Sequence, residues 1–331
     1  IEYSGSSLNG LFAQRRNIVR LPFYRMIRDI LRFNKTALPG IDKLDDEETL
    51  GNYLRNNGYS HEFIDHYLIP MAAAIWSAEP GSVLEMPVRF LVRFFANHGL
   101  LQISDRPIWR VIKGGSREYV GKLVAGHRDR IRLNSPVQSI RRIDDRVEVH
   151  SATGGTESFD YVFVACHSDQ ALALLKDPTP AEREILGAIH YQHNEAILHT
   201  DLALMPKKRC AWAAWNYHIP RDSSRHVAVT YNMNILQGLE ANKQYLVTLN
   251  NDRHIDPDKV IRTVQYEHPV FSRESVAAQR RQAEINDDRT FFCGAYWRSG
   301  FHEDGVVSAL NALGHFEEKL SNGQLHLRRA S

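Results

Sequence analysis

Apolar residues recur at helical spacing over the first hundred positions, switch to alternation near Ile131, and end in a strand-to-helix step that starts at Phe291. Between Asn17 and Lys35, Pro22 precedes Phe23, Met26, Ile27, Ile30 and Leu31, the spacing of one helical face with proline at its start. Arg20, Arg25, Arg28 and Arg32 lie among them, giving a basic amphipathic helix of the kind that serves as a domain helix or rests on an anionic membrane. A second helix is expected over Asp45 to Asn57, stopped by Gly58. A third starts near Ser60 and must kink or restart at Pro70 before Met71 to Trp76, and a fourth covers Pro87 to His98.

After Gly114-Gly115-Ser116 a short helical pattern runs through Tyr119, Val120 and Leu123. From Ile131 the alternation predicts a meander of Pro136 to Ile140, Val147 to Val149 and Tyr161 to Ala165, turned by Asp144-Asp145 and Gly154-Gly155. Past Pro180, strands are expected at Ala196 to His199, Ala211 to Trp215, Val227 to Tyr231 and Tyr245 to Leu249. Aromatic residues on one face of that sheet, Trp212, Trp215, Tyr217 and Tyr231 with Met233, are candidates for a substrate cavity wall or for plain core.

The stretch Phe291 to Leu310 carries the densest signal. Three apolar residues halt at Gly294, a loop rich in aromatic residues and glycine follows, and small and apolar residues from Gly305 continue as a helix. A helix start leaves backbone amides unpaired and bears partial positive charge, which suits an anion or an electron-rich carbonyl. By spacing alone this is also how an ordinary strand-to-helix turn reads.

The order of residues decides between these readings. Ser299-Gly-Phe-His-Glu-Asp-Gly-Val306 followed by Ser308-Ala-Leu resembles the flavin motif of the amine oxidase superfamily. It is more similar still to a bacterial family of NAD/FAD-binding proteins that reads Phe-Cys-Gly-Ala-Tyr-Trp-Gly-Tyr-Gly-Phe-His-Glu-Asp-Gly, from which this chain departs at Arg298 and Ser299. Tyr67-Leu-Ile-Pro-Met-Ala-Ala-Ala-Ile-Trp76 and Arg93-Phe-Phe-Ala-Asn-His-Gly-Leu-Leu-Gln102 match the substrate side of that family.

The resemblance implies a mixed α/β fold with two lobes: a discontinuous FAD lobe of the glutathione-reductase type, Rossmann-like, and a substrate lobe of sheet plus helices. It divides the chain into a mainly helical substrate part at 1–105, an FAD-lobe segment at 106–176, a substrate sheet at 177–290, an FAD-lobe return at 291–320 and a tail at 321–331. It implies FAD as cofactor, with the Val137 backbone toward adenine, Gly114 and Gly115 at the lobe junction, and Gly294, Glu303, Asp304, Gly305 and Val306 at the flavin. Amides of Gly305 and Val306, in a helix beginning near Asp304, are expected to face the flavin C2 carbonyl, while Glu303 and Asp304 cap that helix or bind ribityl hydroxyls. Phe301, Trp212, Trp215 and Tyr231 are expected at the substrate cavity.

Three departures narrow the chemistry. No Gly-x-Gly-x-x-Gly occurs, although it opens the resembling chains, and the first residue is Ile1; an N-terminal dinucleotide-binding unit is expected to be missing, the alternative being a remnant unable to hold FAD. No Lys lies between Asp177 and Pro206, where many amine oxidases place one by the flavin. Phe301 stands where monoamine oxidases carry a cage tyrosine. The expected activity is hydride transfer from an organic substrate to flavin, with a lipid-chain desaturase or isomerase and a non-enzymatic remnant as alternatives; no catalytic residue is assigned, and His302 reads as a loop histidine.

Composition adds limits. With 43% apolar and 24% charged residues the chain is globular, and a net charge of +2 makes no case for nucleic acid. Cys166, Cys210 and Cys293 lack any CxxC pairing and no His-x-x-x-His pair stands out, so neither a disulfide framework nor a metal site is indicated. The cysteine usage fits a reducing cytoplasm, no apolar run spans a bilayer and no signal peptide is visible; the resemblance implies a small-molecule or lipid substrate, and the basic helix is a candidate for peripheral membrane contact. Oligomeric state is not readable.

Overall fold

A computed structural model describes residues 1–103, 105, 107–219, 228–250 and 255–325. They form two compact units, one of residues 1–123 and 192–268, the other of 124–191 and 269–331. Residues 326–331 of the expected tail, and Val227 of an expected strand, lie outside the described residues.

The first unit opens with helices. Leu21–Gly40 turns Phe23, Met26, Phe33 and Ala37 into the core, following the apolar spacing. Asp29 shares that face and is fully buried. Burial alone would raise its carboxyl, yet the Ser60 amide at 2.8 Å and the guanidinium groups of Arg32 and Arg28 hold it below the ordinary range.

The helix expected from Asp45 starts instead at Leu50, where Thr49 accepts the Asn52 amide at 3.2 Å. Asp45 takes the Glu47 amide at 3.0 Å in a side-chain turn that competes with helix. Around Pro70 the helix neither breaks nor restarts. A π-turn at Ile64–Leu68 leads into Ile69–Trp76, and its wider turn absorbs the proline ring and its missing N–H. Val88–Asn97 then places Phe94 4.8 Å from Trp76, ring centre to ring centre.

In the second unit, β1 (Val137–Ile143), β2 (Arg146–Ser151) and β3 (Gly155–Phe159) form an antiparallel meander. The expected third strand is therefore displaced: the turn at Gly154-Gly155 brings Gly155–Phe159 back onto β2. Strand β4 (Val162–Val164) instead leaves the meander and pairs in parallel with residues 290–292. Arg142 ties these pieces together, reaching Asp177 at 3.0 Å, buried Glu182 at 2.6 Å and Thr290 at 3.1 Å.

The chain then builds a five-stranded sheet from β5 (Tyr191–His199), β6 (Trp215–His218), β7 (Ala228–Asn232), β8 (Leu246–Leu249) and β9 (Val260–Pro269), ordered β6-β7-β8-β5-β9. The strand expected at Ala211 begins only at Trp215. Arg209–Ala211 is a 3₁₀ turn, and the Asn216 side chain pinches Ala213 by bonding both its amide (3.1 Å) and its carbonyl (2.7 Å). The last strand, β10 (Thr290–Phe292), returns to β4 and leads into the helix His302–Ser321. No helix among the described residues is long and apolar enough to cross a membrane.

A polar thread runs through the buried side of the five-stranded sheet. His199 is fully buried; its Nδ1 accepts the Asp201 amide at 3.1 Å, its Nε2 lies 2.8 Å from Thr248 Oγ1, and that oxygen lies 2.8 Å from Thr230 Oγ1. With Nδ1 accepting, the ring is neutral and carries its proton on Nε2. Burial lowers the imidazole below its ordinary value, against a weaker opposing pull from the Asp201 carboxylate. An unfolded histidine titrates near pH ~6.5, so the unfolded chain takes this proton first: stability is unaffected above that pH and falls as pH drops below it. Urea unfolding measured from neutral pH down to about pH 5 should show that loss, and His199→Gln, less stable throughout, should show a shallower slope. Equal slopes would assign the loss to other groups.

Candidate functional site

In the second unit, β4 and β10 run side by side, Val162 against Thr290 and Val164 against Phe292, and both chains turn off at the same end. Loops beyond the carboxyl ends of parallel strands are where open α/β sheets hold ligands. Here they are the turn through Cys166 and the turn at Gly294.

The Gly294 turn is fastened from below. Its N–H donates to Ser308 Oγ at 2.8 Å, and the Ser308 hydroxyl donates to the Gly305 carbonyl at 2.8 Å, so one buried side chain joins the turn to the following helix. Gln279 Nε2 donates to the carbonyls of Tyr296 (2.7 Å) and Arg298 (2.6 Å), and Gln282 Nε2 to those of Phe292 (2.9 Å) and Ser308 (3.2 Å). Asn286 Oδ1 accepts the Phe292 amide at 2.6 Å. Glycine is required at the turn: a Cβ on Gly294 would stand 2.4 Å from the Tyr296 ring.

The helix begins at His302, two residues ahead of the expected start. Asp304 Oδ2 accepts the Phe301 amide at 3.0 Å, and Arg298 lies 3.5 Å from the same carboxylate, so Asp304 caps the helix. The expected amide donors need correction. The Gly305 N–H is already spent on the Phe301 carbonyl at 3.1 Å, because Gly305 closes the first turn. Val306 lies further along, inside the helical ladder, with its side chain 51% exposed. The amides without a helical carbonyl are those of the first turn, Glu303 and Asp304 among them. Gly305 contributes its missing Cβ instead, facing Ala295 with nothing nearer than 3.9 Å.

Two polar atoms beside the turn, the Tyr296 hydroxyl and the Trp297 indole N–H, are buried with no hydrogen-bond partner among the described residues. Burial pushes the Tyr296 phenol well up, so it stays protonated. Along β4, which pairs only with β10 among the described residues, lies a cavity of about 620 Å³. Its walls are apolar, with Val137, Ile140, Val149, Phe163 and Leu174, and Cys166 stands at one end with its thiol pushed up by burial.

The second unit thus holds Val137, Gly294, Phe301, Glu303, Asp304, Gly305 and Val306, while the other expected residues belong to the first. There Gly114 (φ +86) and Gly115 (φ +89) form an exposed turn before the helix Arg117–Leu123. Trp215 and Tyr231 face each other across β6 and β7, edge to face at 5.6 Å, while Trp212 sits outside the sheet and donates to the Pro206 carbonyl at 2.7 Å. Among the described residues no group of His, Cys, Asp or Glu is arranged to hold a metal ion.

Residues 8–208 match the family described as flavin containing amine oxidoreductase. The chain belongs to that family. Its cofactor is FAD. Solved structures share the fold: a CLA-producing fatty acid isomerase from P. acnes is 13% identical with a TM-score of 0.62, over 90% of this chain and 76% of its own. Cyclohexylamine oxidase from Brevibacterium oxydans IH-35A is 12% identical with a TM-score of 0.60, over 92% of this chain and 77% of its own. A wild-type putrescine oxidase bound to putrescine gives 13% and 0.57, over 89% and 76%. No curated protein matches. The expected mixed α/β architecture of the amine oxidase fold therefore holds.

The residues fit the ring end of FAD. First-turn amides, two glycines without Cβ, and two orphaned buried donors gather at one strand end, beside an apolar cavity. Among the described residues there is no glycine-rich turn of the kind that takes a pyrophosphate. Gln279, Gln282 and Asn286, which hold the loop, carry no signal in the sequence, being amides in a polar stretch. Ser308 was legible only as part of the motif.

Gly294→Ala should destabilise the second unit by about 1–3 kcal/mol, since the Tyr296 ring is boxed in and cannot yield freely. Ser308→Ala should cost about 1–3 kcal/mol by leaving the Gly294 amide without its acceptor. Thermal unfolding checks both, and a Ser308→Ala variant as stable as the parent would show that the staple contributes nothing.

Proposed function

We propose that the chain carries the flavin-side and substrate-side parts of an FAD-dependent oxidoreductase that moves a hydride from an organic substrate to the flavin. The observation that carries this reading is the Gly294 turn, stapled by Ser308 to the start of a 20-residue helix at the carboxyl ends of β4 and β10. When bound, flavin supplies a two-electron acceptor.

The protein's part is orientation and electrostatics. Amides of Glu303 and Asp304, with the positive end of the helix dipole, stabilise negative charge on a carbonyl edge. Asp304 is engaged with Phe301 and Arg298, so it holds the helix start in shape and is not a base. The protonated Tyr296 hydroxyl and the Trp297 N–H are donors available to a polar edge of the ligand.

A second reading, desaturation or isomerisation of a fatty acyl chain, is favoured by the residues facing the substrate. No Lys lies on β5, and Lys259 is ion-paired with Asp201 at 3.2 Å and Asp256 at 3.3 Å, so no lysine is offered for amine oxidation there. In the first unit the Trp215–Tyr231 pair presents rings. The P. acnes neighbour is a fatty acid isomerase, which agrees with this reading but, at 13% identity, does not carry it.

Anaerobic mixing of the flavin-loaded protein with amines and, separately, with unsaturated phospholipid tests both. Bleaching of the flavin absorbance by amines supports the first reading; bleaching by the phospholipid alone supports the desaturase form of the second, and a moved acyl double bond without net bleaching supports the isomerase form. Purified natural protein without a yellow cofactor would leave a non-enzymatic flavin-fold remnant as the reading. Asp304→Ala should weaken flavin retention and cost about 1 kcal/mol of stability through the lost cap.

A further inference from the structure

We propose that residues 8–38 of the first unit form a surface that docks the protein onto an anionic lipid bilayer. Residues 1–40 contain seven cationic side chains and two carboxylates. Both carboxylates are turned to internal work: Glu2 accepts the amides of Lys207 and Lys208, each at 3.2 Å, and Asp29 is buried. Arg25 pairs with Glu62 at 2.5 Å. Arg15, Arg16, Arg20 and Lys35 are exposed and have no carboxylate partner among the described residues, leaving a concentrated positive field on a chain of almost balanced charge.

Apolar side chains stand among those charges. Leu8 is 77% exposed, Val19 86% and Leu21 70%, on three consecutive elements: the helix Leu8–Leu11, the 3₁₀ turn Arg15–Val19 and the start of the Leu21–Gly40 helix. These elements are clamped into one body. Phe12 packs on Phe23 at 5.7 Å, the Tyr24 hydroxyl donates to the Ile18 carbonyl at 2.8 Å, and Arg15 reaches Asn9 at 2.6 Å.

Along the helix the outward positions Leu21, Tyr24, Arg28, Leu31, Lys35 and Leu38 recur at alternating steps of three and four, so the solvent face has a stripe of its own. Over 20 residues that stripe extends about 30 Å. Apolar groups projecting singly from a helix and a turn, interleaved with long cations, match an acyl–headgroup boundary: the apolar side chains enter it and the arginines reach lipid phosphates.

The test is flotation of the full chain with vesicles of phosphatidylcholine alone and of phosphatidylcholine with phosphatidylglycerol, at low and high salt. Two double variants accompany it, Val19→Ser with Leu21→Ser and Arg16→Glu with Arg20→Glu; all four positions are exposed, and circular dichroism checks that each variant folds. The expected result is binding at least about tenfold stronger to the anionic vesicles, weakened by salt, and reduced at least about tenfold by either double variant. Absence of binding, equal binding to neutral vesicles, or variants that bind like the parent would overturn the proposal. So would loss of binding in the arginine variant alone, which would mark an electrostatic site for an acidic macromolecule.

Discussion

When a chain runs off the end of a buried strand and turns, the next amide leaves the sheet and must find an acceptor nearby. At Gly294 that acceptor is the hydroxyl of Ser308, and because the same hydroxyl donates to the Gly305 carbonyl, the turn and the helix start are fixed against one another. The geometry of the candidate site depends on this arrangement. A longer side chain at 308 could not serve both partners, and a Cβ at 294 would displace the Tyr296 ring. The amides that a ligand would meet are therefore set by a serine that no ligand needs to touch.

The same logic recurs at other buried polar groups. Arg142 satisfies Asp177, Glu182 and Thr290 together, and Asp29 is held by an amide and two arginines. His199 is held between Thr248, which Thr230 backs, and the Asp201 backbone amide. Each of these three groups has partners from more than one part of the chain, which fixes how those parts meet more narrowly than apolar contact would. The Tyr296 hydroxyl and Trp297 N–H, like both amide atoms of Asn17 in the first unit, are buried without a hydrogen-bond partner among the described residues, and this pair lies beside the Gly294 turn.

How much of this could be read from the sequence follows the range of the interactions. Helices whose apolar face is complete within the segment, Leu21–Gly40 and Val88–Asn97, were legible because period and capping are local. The loop-to-helix step at Gly294 was legible as an ordered motif. Four features were not. The third meander strand was misplaced because β4 carries the stronger apolar run, and only its parallel partner, more than a hundred residues later, shows that it belongs elsewhere. The π-turn before Pro70 and the Asn216 pinch come from side-chain and backbone geometry that periodicity does not see. The amide roles failed by two residues, since moving a helix start from Asp304 to His302 puts Gly305 inside the hydrogen-bond ladder.

That two-residue shift changes what the motif is for. If Gly305 supplied the donor, any residue with an N–H would do at that position, and glycine would need another explanation. With its amide engaged by Phe301, Gly305 offers no donor, a Cβ there would meet Ala295 only at ordinary contact distance, and the amides without a helical acceptor belong to first-turn residues, two of them acidic. An acidic residue at the first turn stabilises the helix through its dipole and its cap, as Asp304 does. The glutamate and aspartate of the motif are thus accounted for by helix initiation, so the chemistry proposed here needs no carboxylate base.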